Sequence, residues 1–285
     1  MGDLAFQFEG REVRAEPGDS IAAALTAAGH LTFGYRRNGQ NRGLYCGMGV
    51  CHDCLVTANG QRGLRACMTM VTNGMNVQRE DECRLAKNTV PPRATTSKTL
   101  KADIAVIGSG PAGLTAAIRA ANAGADVVVL DEREEPGGQY FKPRSEGYRG
   151  RRGLDRQHLR GNDLRAGAVA SGARILLGQN IWYARLEEEG FELRSLGKKG
   201  GFRILAGAVI LASGAYERPA MVPGWTLPGV MTIGAAQTLA RRYGVSPGQK
   251  VLIASHGPLG LQLASELIAL GADVVALAER GRPRA

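Results

Sequence analysis

No apolar run in this sequence approaches the roughly 20 residues that a membrane-spanning helix needs. The longest runs are interrupted by Gly, Arg or Asp. The N-terminus, MGDLAFQFEGREVRAEPGDS, carries acids and lacks the continuous apolar stretch of a signal peptide. The cytoplasm is therefore the simplest compartment to expect, and disulfides are disfavoured there. Also missing are a Ser/His/Asp constellation, a pair of catalytic carboxylates and a hydrolytic metal site, so no side chain is assigned as a catalytic acid or base. Aromatic residues are scarce in the densest basic run, Arg144 to Arg160, although the net charge is +10. That scarcity argues against a nucleic-acid partner. It leaves a solvated loop, or a face for anionic cofactors or an acidic partner.

What is present points to nucleotide chemistry. The 285 residues allow roughly two domains, and 40 glycines are what several nucleotide loops and tight turns would require. The organising stretch is Ala102 to Gln139. The apolar run Ile104–Ile107 leads into Gly108-Ser109-Gly110-Pro111-Ala112-Gly113; an alanine-rich helical pattern follows, and then Val127 to Leu130, closed by Asp131. Strand, glycine turn, helix, strand and acid, in that order, make a dinucleotide-binding βαβ unit. Gly108 permits the tight turn, Gly110 lets backbone approach a pyrophosphate, and Gly113 lets helix and strand pack closely. Pro111 has no N–H to give, but N–H groups at the helix start from Ala112 onward face the phosphates. Asp131, about 20 residues beyond Gly110, can accept hydrogen bonds from ribose hydroxyls.

Upstream, Phe6 to Ser20 alternates on either side of Glu9-Gly10, which predicts a hairpin. Ser20 can cap a helix over Ile21 to Ala28 that ends at Gly29, an order that fits a small β-grasp domain. Four cysteines follow as Cys46-x4-Cys51-x2-Cys54-x12-Cys67. The first three have the plant-type ferredoxin spacing for a 2Fe-2S cluster. The early fourth resembles the short-return version in iron–sulfur subunits of molybdenum hydroxylases. Gly47 and Gly49 would let the loop curl so that backbone N–H groups point at sulfur, and Asn59-Gly60 would return the chain toward Cys67. A four-cysteine zinc site is the second reading, although only Cys51 and Cys54 form the C-x2-C knuckle it favours; disulfides are the third. His52 reads as a loop residue, and Cys83 as a free thiol outside the spacing.

Asn88 to Lys101 reads as a linker. Beyond Asp131 come Glu132, Gly137-Gly138 and Gln139, and this Gly-Gly pair resembles flavoproteins of the glutathione-reductase type, favouring FAD at the first site. Residues 161–172 look helical. Arg174–Gly178, Ile181–Leu186, Phe191–Leu196 and Phe202–Leu205 look like short strands, resembling the β-meander these flavoproteins insert. Ala208–Gly214 then returns as a buried strand, matching the family's second FAD-contact motif with Ser213 and Gly214 in place.

Gly214 to Ala240, GAYERPAMVPGWTLPGVMTIGAAQTLA, is the most specific stretch. With the cysteine module it resembles the FAD-containing α-type subunits of heteromeric amine and imino-acid dehydrogenases or oxidases. Examples are hydrogen cyanide synthase, opine oxidase, D-hydroxyproline dehydrogenase and the sarcosine oxidase α subunit. Arg218-Pro219, Pro223-Gly224-Trp225 and Leu227–Val230 match the family's ERP, PGW and LPGV elements. The Trp and prolines read as a rigid connector packing between domains, and the resemblance implies a place near flavin for Arg218. The expected fold is α/β. A β-grasp 2Fe-2S ferredoxin-like domain (1–87) and a linker (88–101) precede a Rossmann-type, disulfide-reductase-like FAD-binding domain (102–245, incomplete). The truncated start of an NAD(P)-like Rossmann unit (246–285) follows.

In that last unit Ser255 stands where the first glycine would be, Gly257 and Gly260 complete the turn, and Ala278 falls at the place equivalent to Asp131, with Glu279 one step on. NAD(P) is thus a candidate second cofactor, and a vestigial structural unit the alternative. The resemblance implies that the rest of this unit and the returning FAD segment lie beyond Ala285, on a longer chain or on a neighbouring polypeptide. It also implies a division of labour in a hetero-oligomer. A flavoprotein β-type subunit would oxidise the C–N bond, and this chain would pass electrons through FAD and a cluster held by Cys46, Cys51, Cys54 and Cys67 to an acceptor. The alternatives are a self-contained NAD(P)H-dependent reductase and a non-catalytic electron-transfer or scaffold subunit.

Overall fold

The computed structural model describes residues 4–80, 97–151, 153–197, 200–219 and 221–279. Cys83 and most of the expected linker lie outside them. Two hairpin strands, β1 (Leu4–Phe8) and β2 (Arg11–Ala15), meet at Glu9-Gly10, both with positive φ (53° and 74°), as a two-residue hairpin turn requires. Helix α1 (Ile21–Ala27) begins where Ser20 Oγ accepts from Ala23 N, 3.2 Å, and stops before Gly29. The short pair β3 (Gly34–Tyr35) and β4 (Asn41–Arg42), then β5 (Leu55–Ala58), β6 (Gln61–Arg65) and β7 (Asn76–Arg79) complete the module. The five-stranded sheet runs β2-β1-β7-β5-β6, with β1 and β7 parallel. Phe6, Phe8, Ile21, Leu25, Phe33, Val56 and Val77 form its core, each contributing about 1.5–3 kcal/mol by leaving water.

The second sheet starts at β8 (Lys98–Ile107), continues through α2 (Pro111–Asn122) and β9 (Val127–Asp131), then α3 (Arg156–Ala170) and β10 (Arg174–Leu177). The strands β11 (Gln179–Glu187), β12 (Gly190–Gly197) and β13 (Gly200–Leu211) follow, in the order β10-β9-β8-β13-β12-β11. The pairs β10–β9, β9–β8 and β8–β13 are parallel, while β13–β12 and β12–β11 are antiparallel. This corrects three sequence expectations. Arg174–Leu177 is a parallel edge strand, not part of the meander. The last meander strand and the returning strand are one element, β13, because residues 202–206 and 208–211 pair in one register with β8. Lys98–Lys101 belong to β8 and not to a linker, since they pair with Phe202–Leu205. Val127–Leu130 are buried on both faces, as parallel central strands are.

After the second sheet, α4 (Ile233–Thr238) runs into a π turn over Leu239–Tyr243 and ends at Gly244, φ 65°. The last elements are β14 (Lys250–Ser255), α5 (Pro258–Ala269) and β15 (Asp273–Glu279), with β14 and β15 parallel.

By packing, the described parts of 1–85, 144–152 and 216–285 make one compact unit, and those of 86–143 with 153–215 another. The consecutive blocks expected from sequence cut across these units, for an identifiable reason. Leu239, Tyr243 and Val245 share the β-grasp core, and Arg149 reaches the fully buried Asp19 with two bonds, 2.9 and 2.5 Å. Arg149 is therefore not the solvated loop residue that its basic surroundings suggested. No helix among the described residues is long and apolar enough to cross a membrane.

Candidate cofactor sites

In the first unit, residues 43–54 wrap into a loop in which Gly47 (φ 62°), Gly49 (φ 81°) and His52 (φ 58°) all take left-handed backbone. The curl aims N–H groups inward, as the glycines implied: Met48 N donates to Cys46 Sγ (3.3 Å) and Asp53 N to Cys51 Sγ (3.4 Å). Arg65 Nη1 donates to Gly49 O (2.8 Å), and Arg36 pairs with Asp53 (2.6 Å), fixing the loop from outside. The Asn59-Gly60 turn joins β5 to β6 with both residues at positive φ and returns the chain toward Cys67.

Cys46, Cys51, Cys54 and Cys67 are free thiols, Cys46 neighbouring Cys51 and Cys54 neighbouring Cys67. The Cys51 thiol donates to Cys46, which, with backbone N–H groups from Met48, Cys51 and Val50, holds the Cys46 pKa down to about 5 despite burial. Its donor, Cys51, is pushed up by the same bond and by burial. Cys67 stands in the same relation to Cys54: the bond lowers Cys54 and, together with burial, raises Cys67 well above the usual thiol range. Among the described residues no three Cys, His, Asp or Glu groups converge as the donors of one ion. Four cysteine sulfurs in two neighbouring pairs are a donor set that a two-iron cluster can take, two thiolates to each iron. His52 is exposed and takes no part in either pair.

In the second unit the glycine turn has the tight geometry its residues promised. A Cβ on Gly108 would collide with Ala212 O, and one on Gly113 with Gly108 O, so the start of α2 lies directly against the turn. Gly110 has open space beside it except for Gly138 Cα at 3.9 Å from an added Cβ. Gly137 N donates to Ser109 O (2.8 Å), and Gly138 (φ 63°) stacks on Gly110, where a side chain would sit 2.8 Å from Gly110 Cα. The Gly-Gly pair is therefore folded back over the phosphate turn. Gly110 caps α2 without a side-chain acceptor, and Pro111 occupies the first helical position, which leaves Ala112 and Gly113 at the dipole end for an anion. Asp131 is held ready: its Oδ2 accepts from Ser109 N (2.6 Å) and Ser109 Oγ (2.7 Å), and its Oδ1 from Arg133 N (2.8 Å). Glu132 and Gln139 are half-buried beside these elements, while Ser213 and Gly214 (φ 77°) are exposed just past the end of β13. Arg218 is exposed in the other unit, on the segment leading to α4.

The C-terminal βαβ repeats the pattern with one correction. A register shift in β14–β15 between Val251 and Leu252 places Glu279, not Ala278, opposite Ser255. In the first βαβ the pairing Ile107–Leu130 puts Asp131 opposite Gly108 in the same way. Glu279 Oε1 accepts from Gly257 N (3.0 Å), so an acid does stand at the turn. Gly257 (φ 93°) caps α5 ahead of Pro258, and Gly260 packs on Ser255, which fills the first glycine position.

A thiol-lined loop in a β-grasp module and a glycine cradle on a mixed Rossmann sheet define an iron–sulfur flavoprotein oxidoreductase. Comparison with known proteins agrees: residues 3–82 match the 2Fe-2S iron-sulfur cluster binding domain, and residues 102–284 the pyridine nucleotide-disulphide oxidoreductase model. The chain belongs to the pyridine nucleotide-disulphide oxidoreductase family, here joined to a 2Fe-2S domain. It is 38% identical to an opine oxidase subunit of Agrobacterium tumefaciens (strain Ach5) over 175 residues, 59% of this chain and 35% of the relative. It is 40% identical to hydrogen cyanide synthase subunit HcnA of Pseudomonas aeruginosa over 78 residues, 27% of this chain and 75% of the relative. L-proline dehydrogenase from P. horikoshii has the same fold, with TM-score 0.80 at 24% identity over 99% of this chain and 55% of that one. These relatives bear out the resemblance to α-type oxidase subunits. The chain spans about a third of the length of the first of them.

Proposed function

We propose that this chain is the electron-handling part of a heteromeric enzyme that oxidises a C–N bond of an amino or imino acid. The observation that carries the reading is the presence, on one chain, of two thiol pairs and a glycine cradle with a fixed acid. FAD accepts two electrons and releases them singly, and a 2Fe-2S cluster carries one at a time, so the two together suit transfer to a one-electron acceptor. Gly108, Gly110, Gly113 and Gly138 would leave room for the pyrophosphate, Asp131 would accept from ribose hydroxyls, and Glu132, Gln139, Ser213 and Gly214 would border the cofactor. Arg218 is assigned to the flavin on family resemblance. Cys46 and Cys51 would hold one iron, Cys54 and Cys67 the other. A flavoprotein subunit would oxidise the substrate, in the cytoplasm.

One feature supports a second reading, an NAD(P)H-dependent reductase: Glu279 stands at the turn of the C-terminal βαβ. Protein purified without air should show flavin bands in the blue region and, on reduction, the EPR signal of a paramagnetic cluster. Reduction only after a partner and an imino acid are added supports the first reading; bleaching of the flavin by NADH in the full chain supports the second. A colourless protein with stoichiometric zinc would sink the cluster assignment in both.

A further inference from the structure

The segment from Pro223 to Val230 is rich in turn formers, and its one aromatic side chain, Trp225, is half-buried. It does not pack at random. Its ring meets Tyr45 edge-on, with centroids 5.2 Å apart and planes at 69°, and it covers the buried trio Tyr45, Cys46 and Met48. The residues just after it grip the same loop through its backbone. Thr232 N donates to Tyr45 O (3.0 Å), and Thr232 Oγ1 to Cys46 O (3.4 Å). Gly47 then runs so close to α4 that a Cβ there would lie 2.9 Å from Ala235 Cα. Three successive residues of the cysteine loop are thus held by 225–235, within one compact unit. The far side of the loop is different: Val50 and Cys51 are exposed.

We propose that Trp225 is a positioning residue of the cluster site, sealing the Cys46 side against water and so setting the reduction potential of the centre held there. The proposal rests on the cluster reading given above and adds a role for a residue that the sequence suggested only as a connector. The physical reason is charge. Reduction adds a negative charge to a thiolate-ligated centre, which a dry wall disfavours and water favours; solvent access and bonds to sulfur are established levers on such potentials. The wall also holds the Cys46 backbone, on which the Met48 N–H to Sγ bond depends.

The test compares wild type, Trp225→Ala and Trp225→Phe in the full chain by EPR-monitored redox titration and by the rate of iron loss to a chelator. Trp225→Ala should shift the reduction equilibrium about tenfold toward the reduced form, ~59 mV upward for one electron, and release iron about tenfold faster. Trp225→Phe, which keeps an aromatic face, should fall between, and it carries the test alone if the alanine variant does not fold. Wild-type potential and release rate in a folded alanine variant overturn the proposal, as does a phenylalanine variant at wild-type values when the alanine variant does not fold. If wild type holds no iron and sulfide, the cluster reading falls and the proposal with it. Cluster-loaded wild type beside an indifferent variant overturns the proposal alone.

Discussion

Cys54 is among the most deeply buried of the thiols and sits at the end of the loop where it becomes β5, so its sulfur is placed by the sheet itself. Cys51 is exposed at the loop tip and is placed by the curl around Gly49 and His52 and by the Asp53 N–H that donates to its sulfur. Cys54→Ser should therefore abolish the EPR signal of the cluster while flavin absorbance persists, because the glycine cradle belongs to the other packing unit. Loss of both cofactors together would show that the two sites are not independent. At this scale the sequence was informative wherever a residue's chemistry is local. The cysteine spacing, the positive-φ glycines and Asp131 could all be read directly, since thiol chemistry and backbone freedom travel with the residue. Thr232, Trp225 and Arg65 could not be placed. Their roles depend on partners 16 to 186 positions away, which no local pattern encodes.

The strands show a similar division at the scale of elements. The buried run of β9 and the glycine-bounded hairpins were legible from apolar content and turn residues. The partner of each strand was not: the same tetrad Arg174–Leu177 serves equally as a meander strand or as the parallel edge strand it is, because periodicity sets faces and not neighbours. Register was hidden for a related reason, since one irregularity in β14–β15 moves the acid from Ala278 to Glu279. Cross-strand chemistry gives β12 and β13 their own signature. Glu192 is buried between Arg203, which bonds it at 2.9 and 2.6 Å, and Arg194 at 2.7 Å. The bond from Arg203, then that from Arg194, holds its carboxyl at about 2 against the ordinary 4.5. A depressed acid stabilises the fold fully above its unfolded value and loses that contribution as pH falls through the folded one. Stability should thus decline between about pH 4.5 and 2 in wild type. In Glu192→Gln that part of the acid limb should be absent, as followed by urea melts at stepped pH.

At the scale of the whole chain, segments distant in sequence close one compact unit, and a buried ion pair joins two of them. Asp19 precedes the capped helix α1, where its side chain also accepts from Glu16 N (2.9 Å). Arg149 crosses to it from the 144–151 segment, whose backbone is tied in turn by Ser145 N to Arg242 O (2.9 Å), Gly147 N to Pro17 O (2.7 Å) and Arg149 N to Tyr243 O (3.1 Å). The Gly147 bond leaves no room for a side chain, because a Cβ there would meet Glu16 and Pro17. Composition could show that residues 144–160 are basic, but not that one of those charges is spent inside the fold. A buried pair is weak evidence of net stability, since two charges must be taken from water; removing one partner is costly because the other is left buried and alone. Arg149→Ala should accordingly destabilise the unit by about 3 kcal/mol, seen as an earlier urea midpoint when unfolding is followed by bleaching of the cluster. The double variant Asp19→Asn, Arg149→Ala removes the stranded charge and should recover a large part of that loss. A single variant as stable as wild type would mean that the backbone ties alone hold residues 144–151 to the β-grasp module.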